Sequence, residues 1–104
     1  PCAIYISPDQ HVYIGELGAG MQVTRVVPNI GPRITVLNTS GRRLARIGTG
    51  FGLESGQFVA PHSVCLDSKG SIFVGEVAWT FWYSKQPNPP VGEVPSIRKW
   101  RRVA

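Results

Sequence analysis

Gly56–Val77 reads GQFVAPHSVCLDSKGSIFVGEV, and the alternation inside it decides the fold. From Ser63 to Asp67, small or polar residues (Ser63, Cys65, Asp67) alternate with Val64 and Leu66, the period-two signature of a strand with two unlike faces. Asp67-Ser68-Lys69-Gly70 reads as a tight turn, in which Gly70 takes the positive φ that closes a short hairpin. Ser71 to Glu76 resumes as a second strand, with Ile72 and Val74 on one side. Pro61 cannot donate a ladder hydrogen bond, so it belongs at the first position of its strand and places His62 at the strand's mouth.

The same pattern begins the chain. Pro1–Leu17, PCAIYISPDQHVYIGEL, aligns without a gap on Pro61–Val77 at an offset of 60. Pro1 matches Pro61, Ile4 matches Val64, Ile6 matches Leu66, Ile14 matches Val74, and both copies end in Gly-Glu (Gly15-Glu16, Gly75-Glu76). Cys2 takes the place of His62. The turn repeats too, with Ser7-Pro8-Asp9-Gln10 in place of Asp67–Gly70 and Pro8 preset for a turn's second position. An internal repeat of this length is the mark of a repeat architecture.

A chain of 104 residues, 42% hydrophobic, has the size and composition of one globular domain. Twelve Gly and nine Pro suit many short strands and turns, and no window of helical length carries an apolar helical period free of them, which predicts an all-β fold. The apolar runs are strand-length, so no membrane span is expected. Because residue 1 is Pro rather than Met, the chain reads as a piece of a longer one, and its compartment is not written in these residues. The charge of +5 comes from 11 basic and 6 acidic residues, with Lys99, Arg101 and Arg102 crowded at the end. Such an excess permits contact with phosphates without requiring it, and nucleic acid is not the expected partner. Two cysteines make no disulfide framework, and Cys65 reads as a buried free thiol.

Between the copies, Leu17–Pro32 is an excursion with room for a short β piece at Val23–Val27. Arg33–Leu37 and Arg42–Ile47 are a third and a fourth strand around the turn Asn38–Gly41. Residues 1–48 thus form a first four-stranded unit. Residues 49–60 connect it to the second, with Phe51, Leu53 and Phe58 as anchors, and residues 61–104 form a second unit of three strands. Its third strand, Ile97–Arg101, matches the first unit's at Ile34 with an offset of 63, after an excursion from Ala78 to Pro95.

The run GQFVAPHSVCLDSKGSIFVGEV, preceded by GRRLARIG and followed by an Ile-x-Lys-Trp strand, resembles an NHL repeat, the unit of a β-propeller. The resemblance implies that each unit is a four-stranded antiparallel blade, that Ala3–Ser7 and Ser63–Asp67 are innermost strands beside a central channel, and that about two blades of a six-bladed ring are present. The expected partners are then the remaining blades of the full chain.

Within that group the Pro-His at an innermost strand is similar to the peptidyl-α-hydroxyglycine α-amidating lyases. In that family, histidines after such prolines on different blades hold a catalytic zinc that assists C–N bond cleavage of a peptide-like small substrate. The resemblance carries the metal-ligand role onto His62, with Cys2 at the equivalent point of the preceding blade able to supply a thiolate. A strand-mouth histidine that caps a neighbouring carbonyl is the alternative reading of His62. Trp79, Trp82 and Tyr83 make the second excursion aromatic and suited to lining a substrate pocket, or equally to packing on a neighbouring blade. Glu16 and Glu76 recur at one blade position, which favours a structural hydrogen bond repeated per unit over catalysis. The other expectation is a non-catalytic propeller scaffold that binds a protein or RNA.

Overall fold

Three hairpin turns of one design set the register of the chain, which a computed structural model describes for residues 1–18 and 26–103. In each, the fourth residue's N–H donates to the first residue's carbonyl: Gln10 to Ser7 at 2.9 Å, Gly41 to Asn38 at 3.0 Å, Gly70 to Asp67 at 3.1 Å. The fourth residue is left-handed every time, with φ of 66°, 87° and 80°. The first residue's side chain accepts the N–H groups that the turn leaves over: Ser7 Oγ from His11, Asn38 Oδ1 from Ser40 and Arg42, Asp67 Oδ1 from Lys69 and Ser71. A short polar side chain followed three residues later by a residue tolerant of positive φ is therefore the local code for these hairpins.

The strands are β1 (Ala3–Ile6), β2 (His11–Glu16), β3 (Arg33–Asn38), β4 (Arg43–Ile47), β5 (Pro61–Leu66), β6 (Ile72–Glu76) and β7 (Ile97–Trp100). They form two antiparallel sheets, a first in the order β1-β2-β3-β4 and a second in the order β5-β6-β7. The all-β expectation and the strand count of four plus three hold. A one-turn helix α1 (Ala78–Phe81) and a 3-10 turn (Tyr83–Lys85) occupy the second excursion, where the sequence pattern gave no helical period. Among the described residues no helix is long and apolar enough to cross a membrane. The β piece expected at Val23–Val27 falls mainly outside the described residues.

Pairing places Ala3, Gly15, Ile34 and Ile47 in one row of the first sheet and Tyr5, Tyr13, Val36 and Ala45 in the next, all on one face, here called the front. Ile4, Ile14 and Thr35 lie on the back. In the second sheet the equivalent back residues are Val64 and Val74 in one row, Leu66, Ile72 and Trp100 in the other. The core joins the front of the first sheet to the back of the second: Ile34 and Val36 cluster with Val64 and Val74 around Phe58, and Ala3, Tyr5, Tyr13, Ile47, Ile72 and Trp100 pack against them. The two units thus stack front to back, in one sense, rather than face to face across a dyad.

Their inner strands also run parallel. Pro61 at the start of β5 lies against Gly15, the partner of Ala3 at the start of β1, while the turns that end β1 and β5 border one cavity at the opposite end. Phe58 is the key to the connection. It is fully buried, and its ring fills the space beside Gly48, where a Cβ would come within 3.0 Å of it. Phe51 and Leu53, expected to anchor beside it, remain 39% and 40% exposed.

One expectation is corrected. Cys65 is an exposed free thiol, not a buried one, because it points to the front of the second sheet, which nothing covers among the described residues. The opposite outer surface, the back of the first sheet, carries Ile4 and Ile6 at 68% and 57% exposure.

Candidate functional site

The mouth formed by the starts of β1 and β5 gathers most of the residues singled out from sequence. His62 is the extra residue of a β-bulge, since Pro61 pairs with Glu76 and Ser63 with Gly75. A bulge re-aims a side chain and interrupts pairing, so His62 leaves the ladder and is exposed at the rim. Its imidazole makes no hydrogen bond with the described residues. Cys2 stands at the same end of the parallel strand. Its N–H donates to Gly15 O at 2.8 Å and its thiol is exposed and free.

Glu76 and Glu16 close the end of each second strand behind that rim. The Glu76 side chain is 3% exposed; its Oε2 accepts the N–H groups of Val59 and Ala60, and its Oε1 accepts Arg98 Nε. Arg98 continues to Gly52 O at 3.3 Å, so one carboxylate and one guanidinium tie the connection to both β6 and β7. Glu16 Oε2 instead accepts Arg33 Nε at 2.9 Å and the Thr35 hydroxyl. Burial works to raise the Glu16 pKa, but the hydrogen bonds from Arg33 and Thr35 and the Arg33 charge outweigh it, and the carboxyl sits below its ordinary value. Both glutamates hold backbone or strands, in agreement with the repeated structural bond read from sequence.

The aromatic residues of the second excursion follow directly from β6, whose end pairs with Pro61, so they adjoin the same mouth. They do not act as one group. Trp79 is 45% exposed on α1, whereas Trp82 meets the ring of Phe51 edge-on at 5.2 Å between centroids. Tyr83 lines a cleft of about 210 Å³ with Leu53, Glu76 and Arg98. Arg98 was not expected there. The pairing of β6 with β7 brings it one row from Glu76, a register that an Ile34-to-Ile97 alignment contains but residue type alone does not reveal.

At the far end of the strands, Asp9 receives the Ser7 hydroxyl and lies 3.2 Å from His11 Nδ1. The Ser7 hydroxyl, then the His11 charge, hold the Asp9 carboxyl below its ordinary value against the effect of burial. Ser7 Oγ meets His11 only through the main chain, so the three residues make a turn lock and not a nucleophile with its base.

The mouth presents one imidazole and one cysteine sulfur, side chains of types that can ligate zinc. Among the described residues no group of three or more His, Cys, Asp and Glu converges. Comparison with known protein families, with characterised proteins and with solved structures gives no match.

Proposed function

We propose that the chain is a two-blade section of an NHL-type β-propeller, and that the mouth of its inner strands belongs to a zinc-dependent lyase site that cleaves a C–N bond in a peptide-like small substrate. One observation carries the reading: parallel inner strands stack front to back with their starts at one end, and a bulge frees His62 at the same end as Cys2. Front-to-back stacking of like units repeats one rotation, which closes as a ring once enough units are present. The uncovered back of the first sheet and front of the second are then the seats of neighbouring blades.

In this reading His62 and Cys2 are the ligands this section contributes, and other blades contribute the rest. Bound zinc supplies a Lewis acid that polarises a substrate oxygen and stabilises developing negative charge. Tyr83 lines one cleft with Arg98 and offers a hydroxyl, while Trp79 offers an exposed apolar surface to a substrate body. A non-catalytic scaffold that binds a protein is the second reading. It is favoured by Trp82, whose ring packs on Phe51 of the connection.

Metal analysis of the intact protein, purified without chelator, separates the two. The lyase reading expects bound zinc and at least a tenfold loss of zinc affinity in His62→Ala, while the section alone binds zinc poorly with two ligands. Full zinc occupancy in His62→Ala, or no zinc in the native protein, would leave the scaffold.

A further inference from the structure

The turn between β3 and β4 stands at the end of the first sheet opposite the mouth, because β3 starts beside the end of β2, where Arg33 pairs with Glu16, and runs away from it. Its first three residues read Asn38-Thr39-Ser40, an asparagine with a hydroxyl residue two places on and no proline between, which is the acceptor pattern for an N-linked oligosaccharide. The chain has three asparagines, and the other two do not fit: Asn29 is followed by Ile30-Gly31 and Asn88 by Pro89-Pro90. A pattern of three residues recurs by chance, so the weight falls on the geometry around Asn38.

The Asn38 carboxamide divides its two ends between structure and solvent. One atom accepts the Ser40 N–H at 3.0 Å, the Ser40 hydroxyl at 2.7 Å and the Arg42 N–H at 2.9 Å. Two main-chain N–H groups point at that atom, which fixes it as Oδ1 and leaves Nδ2 as the other end. Nδ2 donates to no acceptor among the described residues. The turn is therefore held through the oxygen, and a group added to the nitrogen removes none of its bonds. A hydroxyl that donates to an amide oxygen also draws electron density from the nitrogen and makes its protons easier to remove.

There is room for a bulky group as well. Asn38 is half-buried, but Thr39, Ser40, Gly41 and Arg42 are all exposed, and a methyl added at Gly41 would meet nothing within 4 Å. None of residues 38–41 belongs to the core between the units or borders either cavity. A large hydrophilic modification is tolerated at such a surface turn and not within a packed contact.

We propose that Asn38 is an acceptor of an N-linked oligosaccharide. The donor is an oligosaccharide carried on a polyprenyl diphosphate. Nδ2 attacks the anomeric carbon, a C–N bond replaces the C–O bond to the diphosphate, the diphosphate leaves with the electron pair, and one Nδ2 proton passes to a base of the transferring enzyme. Nδ2 keeps its second hydrogen and Oδ1 keeps its three donors. Modification there requires that the chain be made in a compartment that holds this donor. The sugar stands at the end opposite His62 and Cys2 and leaves the mouth open, so this site and the proposed lyase site are independent and either can fail alone.

The test is peptide mapping by mass spectrometry of the intact protein isolated from its natural source, with and without peptide-N-glycosidase in heavy-oxygen water. The tryptic peptide Ile34–Arg42 contains Asn38 and no other asparagine, so the assignment is unambiguous. The expected result is an oligosaccharide on that peptide, with enzymatic release converting Asn38 to a heavy-oxygen-labelled aspartate. In a secretory host that glycosylates, Ser40→Ala abolishes the modification and Ser40→Thr retains it. Ser40→Ala leaves Oδ1 its two main-chain donors, so it removes the acceptor pattern without unmaking the turn. An unmodified Ile34–Arg42 peptide from the natural source, or an oligosaccharide that persists in Ser40→Ala, would overturn the proposal.

Discussion

Glu76 shows how much one side chain can decide in a chain of this size. Its carboxylate is nearly inaccessible and serves three donors from two segments. Glu76→Ala leaves the Val59 and Ala60 N–H groups and the Arg98 guanidinium short of an acceptor, so it should cost about 3 kcal/mol, measured by urea unfolding. Glu16→Ala, at a more solvated pair, should cost about 1 kcal/mol once solvent screening is counted. The sign of its pH dependence follows from the lowered carboxyl. Its stabilisation is present above the ordinary pKa of 4.5 and is lost as pH falls through the lower folded value. Unfolding midpoints of Glu16→Gln should therefore fall less steeply on acidification than those of the native chain, and parallel curves would count against the Arg33 and Thr35 bonds as the cause.

At the scale of the element, the shared turn design makes three positions comparable. A methyl at Gly41 meets nothing within 4 Å, so Gly41→Ala reports the φ alone and should cost about 1 kcal/mol. At Gly70 the methyl also comes within 2.9 Å of the Arg102 side chain, so Gly70→Ala should cost at least as much. Gln10 already bears the left-handed φ with a side chain, and Gln10→Gly should stabilise by about 0.5 kcal/mol, the excess of relieved strain over glycine's entropy. Equal midpoints for all three variants would show that the hairpins are not held by this code. These turns and strands were legible in the sequence because each depends on neighbours: Pro8, Asp67 and Gly70 speak for their own hairpins. Cys65 was misread because alternation assigns it to one face of β5 but does not say which face the rest of the molecule covers. The bulge at His62 was equally hidden, since it arises where the β5 and β6 ladders lose step.

For the whole molecule, the defining feature is that like faces do not meet. The front of one unit covers the back of the next, so the chain ends with one apolar back and one mixed front uncovered. Ile4→Lys, at 68% exposure, should change the stability of the 104-residue chain by under about 0.5 kcal/mol, whereas the proposed propeller reading, in which a further blade would cover Ile4, expects a cost of about 2 kcal/mol in the intact protein. The repeat offset foretold that Cys2 and His62 share one end, and the parallel inner strands agree. It did not foretell Phe58 as the side chain that fills the space between units, because an aromatic residue in a Gly-rich connection looks like one anchor among three. The central claim is the front-to-back stacking itself, and proton–proton nuclear Overhauser contacts measure it directly. Contacts of the Ile34 and Val36 methyl groups with those of Val64 and Val74 are the result expected, whereas contacts of Ile34 and Val36 with Cys65 and Phe73 would place front against front and contradict it.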